Sequence, residues 1–288
     1  IVFGLQEGEK FDWGVIWGPI SVWSLIITGL VVLGLFIVQQ ARTRSEALVP
    51  LALFRDRNFS GANVAIAAVG FTVTSMSLPM MFFLQTARGL TPTEAALLLI
   101  PMAVLSGVLA PFAGKLLDRV DPRIILIPGL LCVVVALVWY STLINMGTDI
   151  WMFLLPSALM GIGNAGMWGP LATTATRKLP PRQAGAGAGI YNTTRTIGSV
   201  IGSASIATFM QSRLEANLPG LADAPSGISG GGSLPPEVAE GFAAGMSQAI
   251  LLPACVMVVA LVASLFLGRY DRADAAASAP TEAPAPAA

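Results

Sequence analysis

The stretch from Arg182 to Ser212 is long and apolar enough to cross a bilayer, yet it carries an arginine near its middle. Thirteen residues separate Arg182 from Arg195, which at about 1.5 Å per residue places the guanidinium roughly 20 Å in, near the centre of a ~30 Å hydrocarbon core. A charge at that depth costs at least ~2.5 kcal/mol, so it must face protein or a wet cavity. Glycines surround it at 185, 187, 189, 198 and 202. The pair Gly198 and Gly202 has the spacing that lets two helix backbones approach closely. Tyr191 and Asn192 lie one turn from the arginine and can hydrogen-bond it without neutralising it. Only a bundle of several membrane helices can house such a segment.

Composition agrees. Hydrophobic residues make up 55% of the chain and charged residues 11%, which reads as an all-α polytopic membrane protein. The chain has no histidine and two cysteines, Cys132 and Cys255, in apolar runs without ligand spacing; no metal is expected. A net charge of zero suggests no nucleic-acid partner. No ATP-binding motif and no catalytic constellation is present, so neither a primary pump nor an enzyme is expected.

Ile1 to Leu5 reads as the end of a preceding apolar helix, and the chain is expected to be a fragment lacking an N-terminal part. The expected order is a loop over 1–16, a transmembrane helix over 17–41 and a polar, arginine-rich loop over 42–58. Six spans follow at 59–87, 92–117, 123–145, 150–177, 182–212 and 241–268, forming one bundle over 59–269. The 213–240 loop and the 270–288 tail are rich in small residues and proline and read as unstructured. Thr91-Pro92-Thr93-Glu94 is a capping box with proline at the first helical position, and Asp121-Pro122 opens the next span. One side of this topology collects Arg42, Arg44, Arg55, Arg57, Lys115, Arg119, Arg123, Arg177, Lys178, Arg182, Arg269 and Arg272; the other holds Lys10, Arg88 and Arg213. The basic side, with the C-terminus, is expected to be cytoplasmic, in a multi-pass cell-membrane protein.

Polar residues are unevenly spread. The first, fourth and fifth bundle spans carry Asn63, Gln85, Asn164, Asn192 and Arg195, whereas the third and sixth are nearly featureless. The former are expected to face the interior and the latter to be the most lipid-exposed. The sequence of polar, mixed and apolar spans repeats, as a three-plus-three inverted repeat would. Asn63, Thr74 and Gln85 are spaced by eleven and share a stripe, with Phe71 between them. Asn164 and Trp168 share a face of the fourth span. Amides, a hydroxyl and aromatic rings suit an adaptable amphipathic pocket, although the same groups can simply join helix to helix.

The loop between the second and third spans reads Gly114-Lys-Leu-Leu-Asp118-Arg119-Val-Asp-Pro-Arg123. Asp118 can face a helix N-terminus and Arg177, as a conformational latch would. This loop resembles the Gly-x-x-x-Asp-Arg-x-x-x-Arg signature of the major facilitator superfamily, in the copy of the second half of the molecule. It departs from the usual pattern in having Asp121 where glycine is common. Leu53-Phe-Arg-Asp-Arg-Asn-Phe59, Gly89-Leu-Thr-Pro-Thr-Glu-Ala95 and Asn192-Thr-Thr-Arg195-Thr-Ile-Gly198 resemble the fourteen-helix drug/proton antiporters more narrowly. The resemblance implies a linker helix and the C-terminal six-helix bundle of a multidrug efflux antiporter. It implies a central cavity lined by the first and fourth spans, with the second and fifth packed on the other bundle. Its partners would be small-molecule substrate, protons, the lipid bilayer and the missing N-terminal half. No cofactor is implied, only a proton gradient. No mid-membrane Asp, Glu, His or Lys is present here, so the proton carrier is expected in the missing half. A transporter of a lipid, siderophore or metabolite, or a membrane scaffold or sensor, remain the alternatives.

Overall fold

The computed structural model describes residues 14–17, 20–42, 51–177, 179, 181–218 and 236–268. The expected helix end at 1–5, most of the 219–240 segment and the tail from 269 lie outside the described residues.

A short antiparallel hairpin, β1 (Val15–Trp17) and β2 (Ile20–Ser21), precedes α1 (Val22–Arg42). The helix expected from Trp17 therefore starts at Val22. The Ser24 amide donates to the Ser21 hydroxyl at 3.1 Å and the Ser21 amide to that of Ser24 at 2.9 Å, a reciprocal cap. After a 3₁₀ turn (Leu51–Arg55), α2 runs over Arg57–Phe82. Asp56 caps it by accepting from the amides of Asn58 at 2.7 Å and Phe59 at 2.9 Å. A π turn, Phe83–Ala87, extends it.

The expected second span is two helices, α3 (Pro92–Leu97) and α4 (Ile100–Leu117), and the expected sixth is α8 (Pro236–Ala249) and α9 (Leu251–Leu265). Both breaks have one cause. Pro101 has no N–H for the Leu97 carbonyl, and Pro253 has none for that of Ala249. Between them lie α5 (Pro122–Leu143), α6 (Leu154–Thr176, after a 3₁₀ turn at Ile150–Phe153) and α7 (Pro181–Asn217). The capping box at Thr91 and the Asp121 cap form as expected.

Among the described residues, five segments are long and apolar enough to cross a membrane: Arg57–Ala87, Pro92–Leu117, Pro122–Leu143, Ile150–Thr176 and Val238–Leu265. Glycines and polar residues dilute α7, which joins the bundle by packing against α2. With its 37 residues it spans about 55 Å, well beyond a ~30 Å hydrocarbon core.

The packing has a two-fold pattern. α2 packs on α7 and α4 on α6; α5 packs on α6 and α9 on α2; α5 meets α9 and α2 meets α6. Exchanging the first three spans for the last three reproduces this set. Each unit has three crossings, so the two run in opposite senses, which is the three-plus-three inverted repeat.

Within this chain alone, the second span is more exposed than the third and sixth, which were expected to be the most lipid-exposed. α5 buries Leu126, Leu130, Val133, Leu137 and Tyr140, and α9 buries Ala254, Met257 and Ala260. No residue of α4 is buried, and Ile100, Val104, Val108, Phe112 and Leu116 form an exposed stripe along it. An apolar sequence shows only that lipid is tolerated. Helix neighbours decide what is covered.

Candidate functional site

The α2–α7 crossing is made backbone to backbone. A Cβ on Gly202 would stand 2.6 Å from the Phe71 oxygen, and one on Gly198 would stand 2.7 Å from the Ala67 carbonyl carbon. The bare Cα of Gly70 faces the carbonyl of Arg195 and the Ser199 hydroxyl. Ser199 Oγ donates to the Gly70 carbonyl at 3.1 Å, and Thr74 Oγ1 donates to the same oxygen at 3.1 Å. Gly185 and Gly189 face open space, whereas Gly198 and Gly202 serve a contact inside this bundle. For that pair, the expected use against another bundle is corrected by this placement.

With its backbone held on α2, Arg195 sends its side chain towards α6. Its guanidinium carbon lies 5.9 Å from the centroid of the Trp168 ring, within cation–π range. Three helices therefore meet at one residue. Arg195 is exposed, and among the described residues no carboxylate meets it. Asn192 and Thr196 are exposed beside it; Asn192 Nδ2 donates to the Ala188 carbonyl and Thr196 Oγ1 to that of Asn192, both at 3.0 Å. Thr196 and Ser199 escaped the sequence reading. Their signal is the helical spacing 192, 195, 196, 199, which puts all four on one face.

The other expected cavity residues divide. Asn164 and Trp168 are half-buried, one turn apart on α6, and Thr74 is half-buried next to the crossing. Asn63 is buried; its Nδ2 donates to the Phe59 carbonyl at 2.8 Å and its Oδ1 has no partner. Tyr191 is buried as well, with an unpartnered hydroxyl. Phe71 is buried at the α2–α7 crossing. Gln85 lies in the π turn, its Nε2 3.6 Å from Met81 Sδ.

In the α4–α5 loop, open space surrounds Gly114, Asp118 closes α4 and is exposed, and Arg119 is exposed beside it. Arg123 has its Nε and Nη2 buried without hydrogen-bond partners. Arg177 closes α6 and is exposed. The described contacts do not join Asp118 to Arg177.

A family model described as Major Facilitator Superfamily matches residues 8–203. The chain belongs to the major facilitator superfamily. It is 44% identical over 280 residues to an uncharacterised MFS-type transporter of Mycobacterium tuberculosis, Rv1250, covering 96% of this chain and 48% of that one. It is 28% identical to the lincomycin resistance protein LmrB of Listeria monocytogenes, over 87% of this chain and 51% of the relative. It thus spans about half the length of these curated relatives. Among solved structures, a bacterial homologue of the human lysosomal transporter Spinster, in an inward-facing and unoccupied conformation, superposes with a TM-score of 0.60. That match covers 93% of this chain and 66% of the other at 19% identity, and it supports the major-facilitator fold.

Proposed function

We infer that this chain is the C-terminal half of a fourteen-helix drug/proton antiporter of the cell membrane, with α1 as its second linker helix and its C-terminus in the cytoplasm. It exports small amphipathic compounds by alternating access, with the proton-carrying residue in the N-terminal half. One observation carries the reading. A fixed cation at mid-span lies over an aromatic ring, on an exposed polar face that this bundle leaves uncovered. Such a face requires a second bundle, a wet cavity or a substrate. The exposed stripe of α4 supplies an apolar surface for the same second bundle. The resistance named in the Listeria relative supports drug-like substrates.

The test is export by the full-length transporter in an efflux-deficient bacterial host. Accumulation of a fluorescent amphipathic cation should fall on expression and recover when the proton gradient is collapsed. Export that persists without the gradient would refute proton coupling, and unchanged accumulation across a panel of amphipathic compounds would refute efflux. Asn164→Leu and Trp168→Leu should each shift the relative resistance between two substrates by about fivefold, the size of a ~1 kcal/mol contact. Membrane abundance should stay unchanged. Equal loss of abundance and resistance would assign both residues to helix packing.

A further inference from the structure

At the α2–α7 crossing two polar groups are left unpaired and sealed from solvent. Asn63 is 4% exposed and Tyr191 is 7% exposed. The Asn63 amide nitrogen turns back to donate to the Phe59 carbonyl of its own helix, which leaves Oδ1 as a buried acceptor without a partner. The Tyr191 hydroxyl is buried without a partner as well, and it can donate. Thr194, one turn on, is half-buried, and its hydroxyl makes no hydrogen bond among the described residues.

Helical spacing turns these groups towards one another. Asn63 lies four residues before Ala67 and seven before Gly70, where α2 meets α7. Thr194 and Tyr191 lie four and seven residues before Gly198, where α7 meets α2. Such steps keep a residue on one helix face. The two helices run in the same direction, because Gly187 faces Phe59, Gly198 faces Ala67 and Gly202 faces Phe71. Asn63, Tyr191 and Thr194 therefore share one level, between the Phe59 and Ala67 contacts. Towards Ala67 that level is closed by bare backbone, where a Cβ on Gly198 would stand 2.7 Å from the Ala67 carbonyl carbon. Towards Phe59 it is closed by side chains, since the Phe59 ring packs with Leu53, Ile190 and Leu179. An acceptor, a donor and a second hydroxyl thus meet in a compartment with closed ends, where the Asn63 and Tyr191 atoms reach no solvent.

Within a membrane such groups must find partners, and an ordered water making about three hydrogen bonds is the usual one. We propose that one water molecule is bound here, accepting from the Tyr191 hydroxyl and donating to Asn63 Oδ1 and Thr194 Oγ1. It ties α2 to the turn of α7 that leads into Arg195. The test is X-ray hydroxyl-radical footprinting of the purified full-length transporter. Ordered water is the radical source, so a buried side chain is labelled only where such water touches it. Tyr191 should be labelled despite its burial. Tyr140, 2% exposed with its hydroxyl on Ser157, is the internal control and should label severalfold less. Asn63→Leu removes the acceptor and should cut Tyr191 labelling severalfold. Thermal unfolding gives a second readout. With a shared water, Asn63→Leu and Tyr191→Phe should each lower the midpoint, and the double variant should fall little further. Tyr191→Phe, which removes a single oxygen, carries this readout if Asn63→Leu fails to fold. Three results would each overturn the proposal: Tyr191 labelling no higher than that of Tyr140, labelling that survives Asn63→Leu unchanged, or a midpoint raised by Tyr191→Phe, as removal of a dry, unpaired hydroxyl would give.

Discussion

Arg195→Ala should abolish drug export by the full-length transporter while the protein still inserts and accumulates in the membrane. The backbone of Arg195 packs on α2, and alanine leaves that contact in place. What disappears is the side chain over Trp168 and the positive charge on the exposed polar face. Stability should change little, since an exposed cation–π contact is worth ~0.5–1 kcal/mol. The functional loss should be much larger, with accumulation rising to that of the pump-free host. Arg195→Lys should fail as well. It keeps the charge but replaces a planar fork, able to stack on a ring and hold a bidentate partner, with a compact point charge. Drug accumulation and immunoblotting of the membrane fraction would be measured side by side. Full export by the alanine variant would show that the charge is dispensable and that the α2–α6–α7 junction is only architectural.

Gly198→Ala should do the opposite, removing the protein rather than its activity. The added Cβ would stand 2.7 Å from the Ala67 carbonyl carbon and 2.9 Å from its Cα. No rotamer relieves a backbone clash, so the helices must separate. Overpacking of this kind costs about 1–3 kcal/mol, and here it also stretches the Ser199–Gly70 hydrogen bond. Abundance of folded protein, read by fluorescence-detected size exclusion, should fall severalfold. Gly169→Ala is the matched control, because its Cβ would meet only the Leu117 side chain at 3.7 Å, an ordinary contact. If both variants were equally abundant, close approach at Gly198 would not be what holds α7 to α2.

Much of this architecture is written in local chemistry. Asp56, Thr91 with Glu94, and Asp121 each place a helix start, because a capping side chain and the amides it serves lie within three residues. Each helix break is equally local, since Pro101 and Pro253 each remove one identifiable bond. The charge of Arg195 and the closeness of its glycines were legible too. What was not legible was the partner. Gly198 and Gly202 state that some backbone comes near, and only tertiary structure identifies it as that of Ala67 and Phe71. Which face of each span is covered was not legible for the same reason. α4, α5 and α9 are almost equally apolar, and the difference among them is which neighbours cover them. The π turn at Phe83–Ala87 was not legible, because it has no sequence signature as plain as a proline.

The crossed packing of the two repeats bears on how the chain is made. α2, from the first repeat, lies on α7 of the second, while α4 lies on α6. Neither set of three helices is therefore a packing unit. As the ribosome delivers the first three, α2 has no α7 against its bare Gly70, and α4 has no α6 to cover it. Both wait in the bilayer until the second set emerges. The bundle can lock only late in translation, and a chain interrupted between Leu143 and Pro181 would present that uncovered glycine face to the membrane's quality-control machinery.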